Sequence, residues 1–125
     1  MILQNCPLCN SASTLFCEKP KHLFYKCTNC DGIFRPKDTF LTAEEEKEHY
    51  EKHNNDVFDE RYQAFVSPIV EAVLQDFSPE AKGLDFGSGT GPVIAKMLTD
   101  KGFQVLNYDL FFANDVALLE QKYDY

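Results

Sequence analysis

The sequence lacks any apolar run close to the roughly 20 residues that cross a membrane. Residues 1–10 also lack the basic start and the apolar core of an export signal. We therefore expect a cytoplasmic protein with no membrane contact. The length of 125 residues and the hydrophobic content of 44% are those of about one folded domain's worth of core.

An excess of positive charge is missing as well. The formal net charge is −8, and residues 41–60 carry two Lys or Arg against eight Asp or Glu. Residues 1–40 have only a small basic excess, five against three. This balance argues against nucleic acid as a partner of the whole chain.

Four of the five cysteines fall in two C-x-x-C pairs, Cys6 with Cys9 and Cys27 with Cys30. In a chain without an export signal, such spacing favours a metal site over disulfides. Two pairs supply four thiolates to one tetrahedral ion, which we expect to be zinc. Iron is the alternative, because a tetrahedron of sulfur ligands suits both metals.

Residues 1–40 are therefore predicted to form a small zinc ribbon whose stability depends on its metal. Asn10 and Asp31 follow the two cysteine pairs, and both residue types tolerate the left-handed backbone that tight turns need. The apolar runs 15–17 and 23–25 predict two short strands that form a hairpin before the second pair.

The fifth cysteine, Cys17, is predicted to pack as a small apolar residue on a strand. His22 is predicted to lie on the surface of the hairpin. Replacement of a paired cysteine by either of them as a metal ligand remains the alternative.

Residues 41–81 are predicted to form a helical connector that packs on the domain after it. Thr42 and Glu45 have the spacing of a capping box at a helix start. The Ser67-Pro68 step predicts a kink, or a new helix with Ser67 as its N-cap. Apolar residues recur at helical spacing and predict one buried stripe. The stripe consists of Phe58, Tyr62, Phe65, Ile69, Val73 and Phe77.

Residues 82–125 begin with a strand–loop–helix–strand pattern. Strands are predicted at 83–86 and 104–108, with a helix at 92–100 between them. A glycine-rich loop, residues 87–91, links the first strand to the helix, so its backbone N–H groups could face a ligand. Ligands of parallel sheets bind at the carboxyl ends of the strands, where this loop and Asp109 are predicted to meet.

The spacing of the glycines selects among ligand classes. No Lys stands where a P-loop requires it, and Pro92 occupies the third glycine position of the dinucleotide fingerprint. The pattern D-x-G-x-G-x-G is satisfied at every position, from Asp85 through Gly87 and Gly89 to Gly91.

Residues 84–91, LDFGSGTG, resemble the first motif of class I methyltransferases that use S-adenosylmethionine (SAM). Asp109 resembles their acidic residue at the end of the second strand. The resemblance implies that Asp85 lies near the cationic end of SAM, that Asp109 accepts both ribose hydroxyls, and that Leu110 lies near the adenine. The cofactor-binding residues implied in this way are Asp85, Phe86, Gly87, Ser88, Gly89, Gly91, Asp109 and Leu110.

The whole chain resembles SAM methyltransferases that carry an N-terminal zinc ribbon. The segments Tyr50-x-x-His53-Asn54 and Arg61-Tyr62-x-x-Phe65 contribute to this likeness. Tyr50, His53 and Tyr62 could line the cofactor or substrate pocket. The alternative is that Tyr62 belongs to the core and that His53 caps a helix end.

The resemblance implies an α/β fold: an incomplete Rossmann-like sheet preceded by the ribbon and the helical segment. Members of the family have about seven strands in the order 3-2-1-4-5-7-6, and Tyr123-Asp124 resembles the opening of the fourth. We therefore expect the N-terminal part of a longer enzyme, inactive by itself. Its sheet edge, near Phe111, Phe112 and Tyr123, could support a homodimer.

The methyl acceptor is not encoded in these residues, and no catalytic base is identifiable. The alternative function is a non-catalytic interaction module built on the zinc ribbon. A third hypothesis, RNA base methylation, conflicts with the acidic charge balance.

Overall fold

The structure, a computed structural model, describes residues 4–53 and 55–125. The chain is a mixed α/β protein that divides into two compact units, Met1–Ala43 and Glu44–Tyr125. Asn54, which belongs to one of the segments that suggested a pocket, lies outside the described residues. Within the described ranges, no helix combines the length and the apolar character needed to cross a membrane.

The first unit, which we call the ribbon, contains an antiparallel sheet of three strands in the order β1-β2-β3. These are β1 (Ser13–Lys19), β2 (His22–Cys27) and β3 (Ile33–Phe34). The hairpin between β1 and β2 was predicted from its apolar runs, whereas β3 was not. With two residues β3 is too short for an alternating pattern, and it is held by its pairing with β2.

The ribbon has almost no apolar core apart from its cysteines. Cys6 and Cys27 are buried, and Tyr25 is the buried large apolar side chain beside them. The Tyr25 ring stacks on that of Phe34, with 6.1 Å between the ring centroids. A metal ion held by the cysteines would therefore be the main source of stability for this unit.

The helix α1 (Ala43–Glu51), all but its first residue in the second unit, follows Thr42 directly and carries three glutamates in its first turn. No residue of this helix is buried. Its position agrees with the start predicted from the capping pattern, and the acidic first turn suits the helix dipole.

The long helix α2 (Glu60–Asp76) passes through Pro68 without interruption. The prediction of a new helix capped by Ser67 is therefore wrong, and Asp59 is the N-cap, accepting a hydrogen bond from the Arg61 N–H. Pro68 cannot donate to the Ala64 carbonyl four residues earlier. The Ser67 hydroxyl donates to that carbonyl instead, at 2.8 Å, so the missing backbone bond is replaced locally.

The buried face of α2 agrees with the predicted stripe only in part: Val73 and the C-cap residue Phe77 pack against the core, as predicted. Val66 and Val70 are buried, whereas Phe65 and Ile69 are 78% and 58% exposed. Both sets have helical spacing, so periodicity alone did not distinguish them. Packing against α3 selects the face that carries Val66 and Val70.

The rest of this unit is a parallel βαβ arrangement. It consists of β4 (Lys82–Phe86), α3 (Val93–Thr99) and β5 (Gln104–Tyr108), with β4 and β5 paired in parallel. The helix is one residue shorter at each end than predicted. The core is centred on Val70, Leu98 and Phe103.

The last residues of the chain lie along the edge of β4 that is not paired with β5. The Asp124 N–H donates to the Lys82 carbonyl at 2.8 Å, and the Leu84 N–H donates to the Tyr125 carbonyl at 2.9 Å. The Tyr125 ring also occupies the space beside Gly83 that a Cβ atom would need. The expected edge residues Phe111, Phe112 and Tyr123 are half-buried. Phe111 and Phe112 lie between β5 and a 3₁₀ helix at Val116–Glu120, and Tyr123 follows that helix.

Candidate functional site

The four paired cysteines meet in one cluster, which could hold a metal ion. Their Sγ atoms all lie within 4.8 Å of one another. The Cys6–Cys30 and Cys9–Cys27 sulfur distances are 3.6 and 3.5 Å. A zinc tetrahedron with bonds of about 2.3 Å has sulfur–sulfur edges of about 3.8 Å, so the cluster fits zinc with small adjustments.

The two cysteine turns are built alike. The Cys6 N–H donates to the Ser11 carbonyl, and the Cys27 N–H donates to the Gly32 carbonyl, both at 2.9 Å. In each turn, the N–H of the first cysteine is bonded to the carbonyl of the residue five positions later. The two turns therefore present their thiol groups in a matching way to one ion.

The residue that follows each cysteine pair has a left-handed backbone. Asn10 has φ 58° and Asp31 has φ 59°, as their residue types predicted. Gly32 comes next, and a Cβ atom there would be 3.3 Å from the Cys30 Sγ. The second turn therefore favours glycine at this position because of its close approach to a ligand atom.

Hydrogen bonds to sulfur act differently on the members of the cluster. The Gly32 backbone N–H lowers the pKa of Cys30, but the neighbouring thiol groups of Cys27, Cys6 and Cys9 outweigh it and raise that pKa to about 12. The Cys27 Sγ accepts from the backbone N–H groups of Asn29 and Cys30, at 3.3 and 3.4 Å. The Cys9 Sγ accepts from the Asn29 side chain at 3.7 Å. Hydrogen bonds from the side chain and the backbone of Ser11 lower the pKa of Cys9 to about 6. Thiolates are the form that binds metal.

The alternative ligands lie outside the cluster. Among the residues that the structure describes, Cys17 is half-buried on β1 and His22 is exposed at the start of β2. Cys17 follows an irregularity in the pairing of β1 with β2, between Leu15 and Cys17.

The second unit contains a cavity of about 400 Å³ at the carboxyl ends of β4 and β5. Five of the residues implied by the resemblance line it: Phe86, Gly87, Gly89, Asp109 and Leu110. Tyr50, which the sequence suggested as a pocket residue, lines it as well. We call this space the loop cavity.

The loop cavity is also lined by three residues that the sequence did not indicate as pocket residues: Glu46, Tyr108 and Phe111. Tyr108 and Phe111 flank Asp109 in the chain, and Tyr108 stacks on Phe86 with 5.3 Å between the ring centroids. Proximity to a strand end could have indicated these two. Glu46 lies on α1 four residues before Tyr50, so helical spacing from that expected pocket residue could have indicated it.

Other predicted residues lie outside the lining of the loop cavity. Ser88 is next to it in the loop, while His53 accepts a hydrogen bond through its carbonyl from the Thr90 hydroxyl. Tyr62 stacks on Phe65 and is half-buried on α2. Asp85 is half-buried on β4.

The sequence suggested that the N–H groups of the glycine loop face a ligand. The first three of them are instead bonded within the protein. The N–H groups of Gly87 and Ser88 both donate to the Tyr108 carbonyl, at 2.7 and 3.0 Å. The Gly89 N–H donates to the Asp109 Oδ2 at 2.8 Å. A phosphate cradle needs these donors free, so the geometry disfavours a phosphate here.

Two different physical requirements explain the glycines of the loop. Gly87 and Gly89 have φ angles of 83° and 71°, a conformation that costs other residues energy. Gly91 is needed for space, because a Cβ atom there would overlap the Asn55 carbonyl.

Asp109 makes hydrogen bonds to two segments beside the loop cavity, the glycine loop and the residues that follow β5. Its Oδ2 accepts from Gly89, and its Oδ1 accepts from the N–H groups of Phe111 and Phe112 at 2.9 and 3.2 Å. A carboxylate has about four acceptor sites, of which three are used here. The two ribose contacts that the resemblance implies therefore require at least one of these bonds to yield.

Asp85 lies in an environment that disfavours its charge. Burial raises the pKa of Asp85, and the negative charge of Asp109 raises it further. Its neighbour across the sheet is Asn107, whose buried Oδ1 has no hydrogen-bond partner among the described residues. A cation beside Asp85 would relieve this cost.

Comparison with protein-family models, with curated proteins and with solved structures found no match to the chain. What is established is therefore a mixed α/β chain with small sheets and a cysteine cluster that could bind zinc.

Proposed function

We propose that this chain provides the SAM-binding loop and a structural zinc ribbon of a SAM-dependent methyltransferase. One observation carries the proposal: the glycine loop and Asp109 meet at one cavity, joined by the Gly89 N–H and the Asp109 Oδ2. These residues are 20 positions apart in the chain. The sequence pattern assigns both of them to a common ligand.

The charge of the loop cavity supports a cationic ligand. Its lining contains the acidic residues Glu46 and Asp109 and no Lys or Arg. SAM carries a sulfonium and an ammonium group and no phosphate, so it suits a cavity whose loop donors are already engaged. In this proposal Asp109 holds the ribose, Leu110 contacts the adenine, and the bound SAM supplies an activated methyl group.

The order of the strands also supports the proposal. β4 has β5 on one side and Asp124–Tyr125 on the other. The family order 3-2-1-4 places the first strand between the second and the fourth in the same way. The position of the final residues beside β4 is therefore the one that the resemblance implies.

The test is calorimetry of the zinc-loaded chain with S-adenosylhomocysteine. We expect the wild-type chain to bind saturably. Asp109→Asn, which leaves the side chain with one acceptor oxygen instead of two, should bind at least about 10-fold more weakly. Leu110→Arg should lose most of the binding. Leu110 is exposed, so this variant tests the cavity without disturbing a core. Asp76→Asn, at the end of α2, is the matched control and should bind normally.

The interaction-module alternative makes the opposite prediction. If the wild-type chain gives no binding heat while its zinc content and fold are intact, the loop cavity is only part of a scaffold. Equal binding by the wild type, Asp109→Asn and Leu110→Arg would also contradict the proposed site.

Asp85 should make SAM binding depend on pH in the acid range. Its folded-state pKa lies above the ordinary 3.8, so its carboxylate forms only at higher pH than in a free side chain. We expect SAM affinity to rise with pH through this window, because the charged form attracts the cationic end of SAM. Asp85→Asn should weaken SAM binding about 10-fold and flatten the profile.

The control ligand for this prediction is 5′-methylthioadenosine, which has the adenine and ribose but neither charge. Its affinity should be the same in the wild type and in Asp85→Asn. If both ligands weaken equally, Asp85 acts on the fold of the loop and not on the charge of SAM.

A further inference from the structure

The ribbon contains a separate cavity of about 760 Å³ that the cofactor proposal does not use. One wall is the first cysteine turn, residues 4–10, and the other consists of Phe34, Arg35, Lys37 and Phe40. Its volume lies within the range of small-molecule sites. We call it the ribbon cavity.

Of the residues that the structure describes, the charged ones that line the ribbon cavity are Arg35 and Lys37, and none of the lining residues is acidic. In the described part of the chain, neither cation forms an ion pair. The Arg35 Nε is shielded from solvent and has no hydrogen-bond partner among residues 4–53 and 55–125. A buried donor without a partner costs free energy of folding. An acceptor from outside the described residues would remove that cost.

The cysteine cluster does not supply that acceptor. Cys6 and Cys9 also line the ribbon cavity, but among the described residues the hydrogen bonds to the cluster sulfurs come from residues of the two cysteine turns, such as Ser11 and Asn29, and not from Arg35. The described residues therefore leave the Arg35 Nε without an acceptor.

Apolar groups stand beside the two cations. Leu8 is 82% exposed and Phe40 is 51% exposed, and Phe34 contributes a second aromatic ring to the wall. Exposed apolar side chains around a few convergent polar groups are the usual composition of a small-molecule site.

We propose that the ribbon cavity binds a small organic anion, a molecule that joins a carboxylate or phosphate to an aromatic or aliphatic group. Arg35 binds the oxyanion through its planar fork, which matches both groups, and Lys37 adds a second charge. Leu8, Phe34 and Phe40 contact the apolar part. This site is independent of the loop cavity and of SAM binding.

The experiment is an NMR titration of the zinc-loaded full chain with phenyl phosphate and with benzoate. At least one of them should shift the amide signals of residues 4–10 and 34–40 in a saturable way, and their comparison identifies the preferred oxyanion. Inorganic phosphate and benzyl alcohol, each lacking one half of the ligand, should bind about 10-fold more weakly or worse.

The variants are Arg35→Gln and Lys37→Gln, each expected to weaken binding of the preferred anion about 10-fold. Arg61→Gln is the matched control, because Arg61 is exposed and already paired with Asp59. It should bind as the wild type does. Zinc content is measured for every variant, and Arg35→Lys, which keeps the charge and loses the fork, is used if Arg35→Gln loses zinc.

The proposal is overturned if neither anion gives saturable shifts, or if Arg35→Gln with intact zinc binds as tightly as the wild type. It is also overturned if both Arg35 variants lose zinc, because Arg35 would then be a support of the metal cluster. Tighter binding of inorganic phosphate than of either organic anion would contradict the role of the apolar wall.

Discussion

Replacing Cys27 by serine is expected to weaken zinc binding by at least about 100-fold and to unfold the ribbon. Structural zinc sites are stabilised by about 10–16 kcal/mol in total, so losing one of four ligands removes about 3 kcal/mol. Cys27 is also among the most deeply buried residues of the chain, 1% exposed. Competition with a chromophoric chelator measures the affinity.

The unfolding should be confined to the ribbon, because its buried apolar residues are largely its metal ligands. Cys6 and Cys27 are two of them, beside Tyr25. The second unit has its own core around Val70 and Leu98, with no metal ligand in it. In an amide NMR spectrum, the signals of β1 and β2 should collapse while those of α2 and α3 stay dispersed.

The matched control is Cys17→Ser, since Cys17 is a cysteine of the same unit outside the cluster. It should keep one zinc per chain and a folded ribbon. If Cys17→Ser and Cys27→Ser lose zinc equally, the ligand set is wrong. Elemental analysis of the wild type distinguishes zinc from iron.

Replacing Gly91 by alanine is expected to destabilise the second unit by about 3 kcal/mol. The added Cβ atom would overlap the Asn55 carbonyl oxygen, which belongs to the backbone and cannot rotate away. The segment around Asn55 must then move, and with it the His53 carbonyl that holds the Thr90 hydroxyl. Thermal unfolding should show a fall in Tm of about 10 °C or more.

Gly102→Ala is the control with the same chemical change. Gly102 has φ 85° but open space around it, so alanine there costs only the strain of a left-handed residue, about 1 kcal/mol. The Gly91 variant should therefore have the lower Tm of the two. Equal values would show that the contact between the loop and Asn55 contributes nothing to stability.

The four paired cysteines lie together, as the sequence predicted, because the determinants of their turns are local. Two C-x-x-C pairs define two tight turns, and the residue types of Asn10 and Asp31 already indicated the left-handed backbone found at both positions. The βαβ pattern was equally readable, since a short apolar run, a glycine loop and a helical repeat follow one another without interruption.

The errors arose where two local solutions compete. On α2, the sets containing Phe65 and Val66 have the same spacing, and only the position of α3 decides which is buried. At Pro68 the helix continues, and the Ser67 hydroxyl donates the hydrogen bond to the Ala64 carbonyl that proline cannot donate. Neither outcome depends on residue type alone.

By itself, the sequence determined which cysteines could share an ion and which loop, helix and acidic residue belong together. Such patterns depend on spacing and on backbone preferences within a few residues. Only the tertiary structure decided which polar groups are already engaged. Long-range contacts occupy the N–H donors of Gly87 and Gly89 and one acceptor site of Asp109, and the described residues leave the Arg35 Nε without a partner. Two further acceptor sites of Asp109 are used locally, by the N–H groups of Phe111 and Phe112.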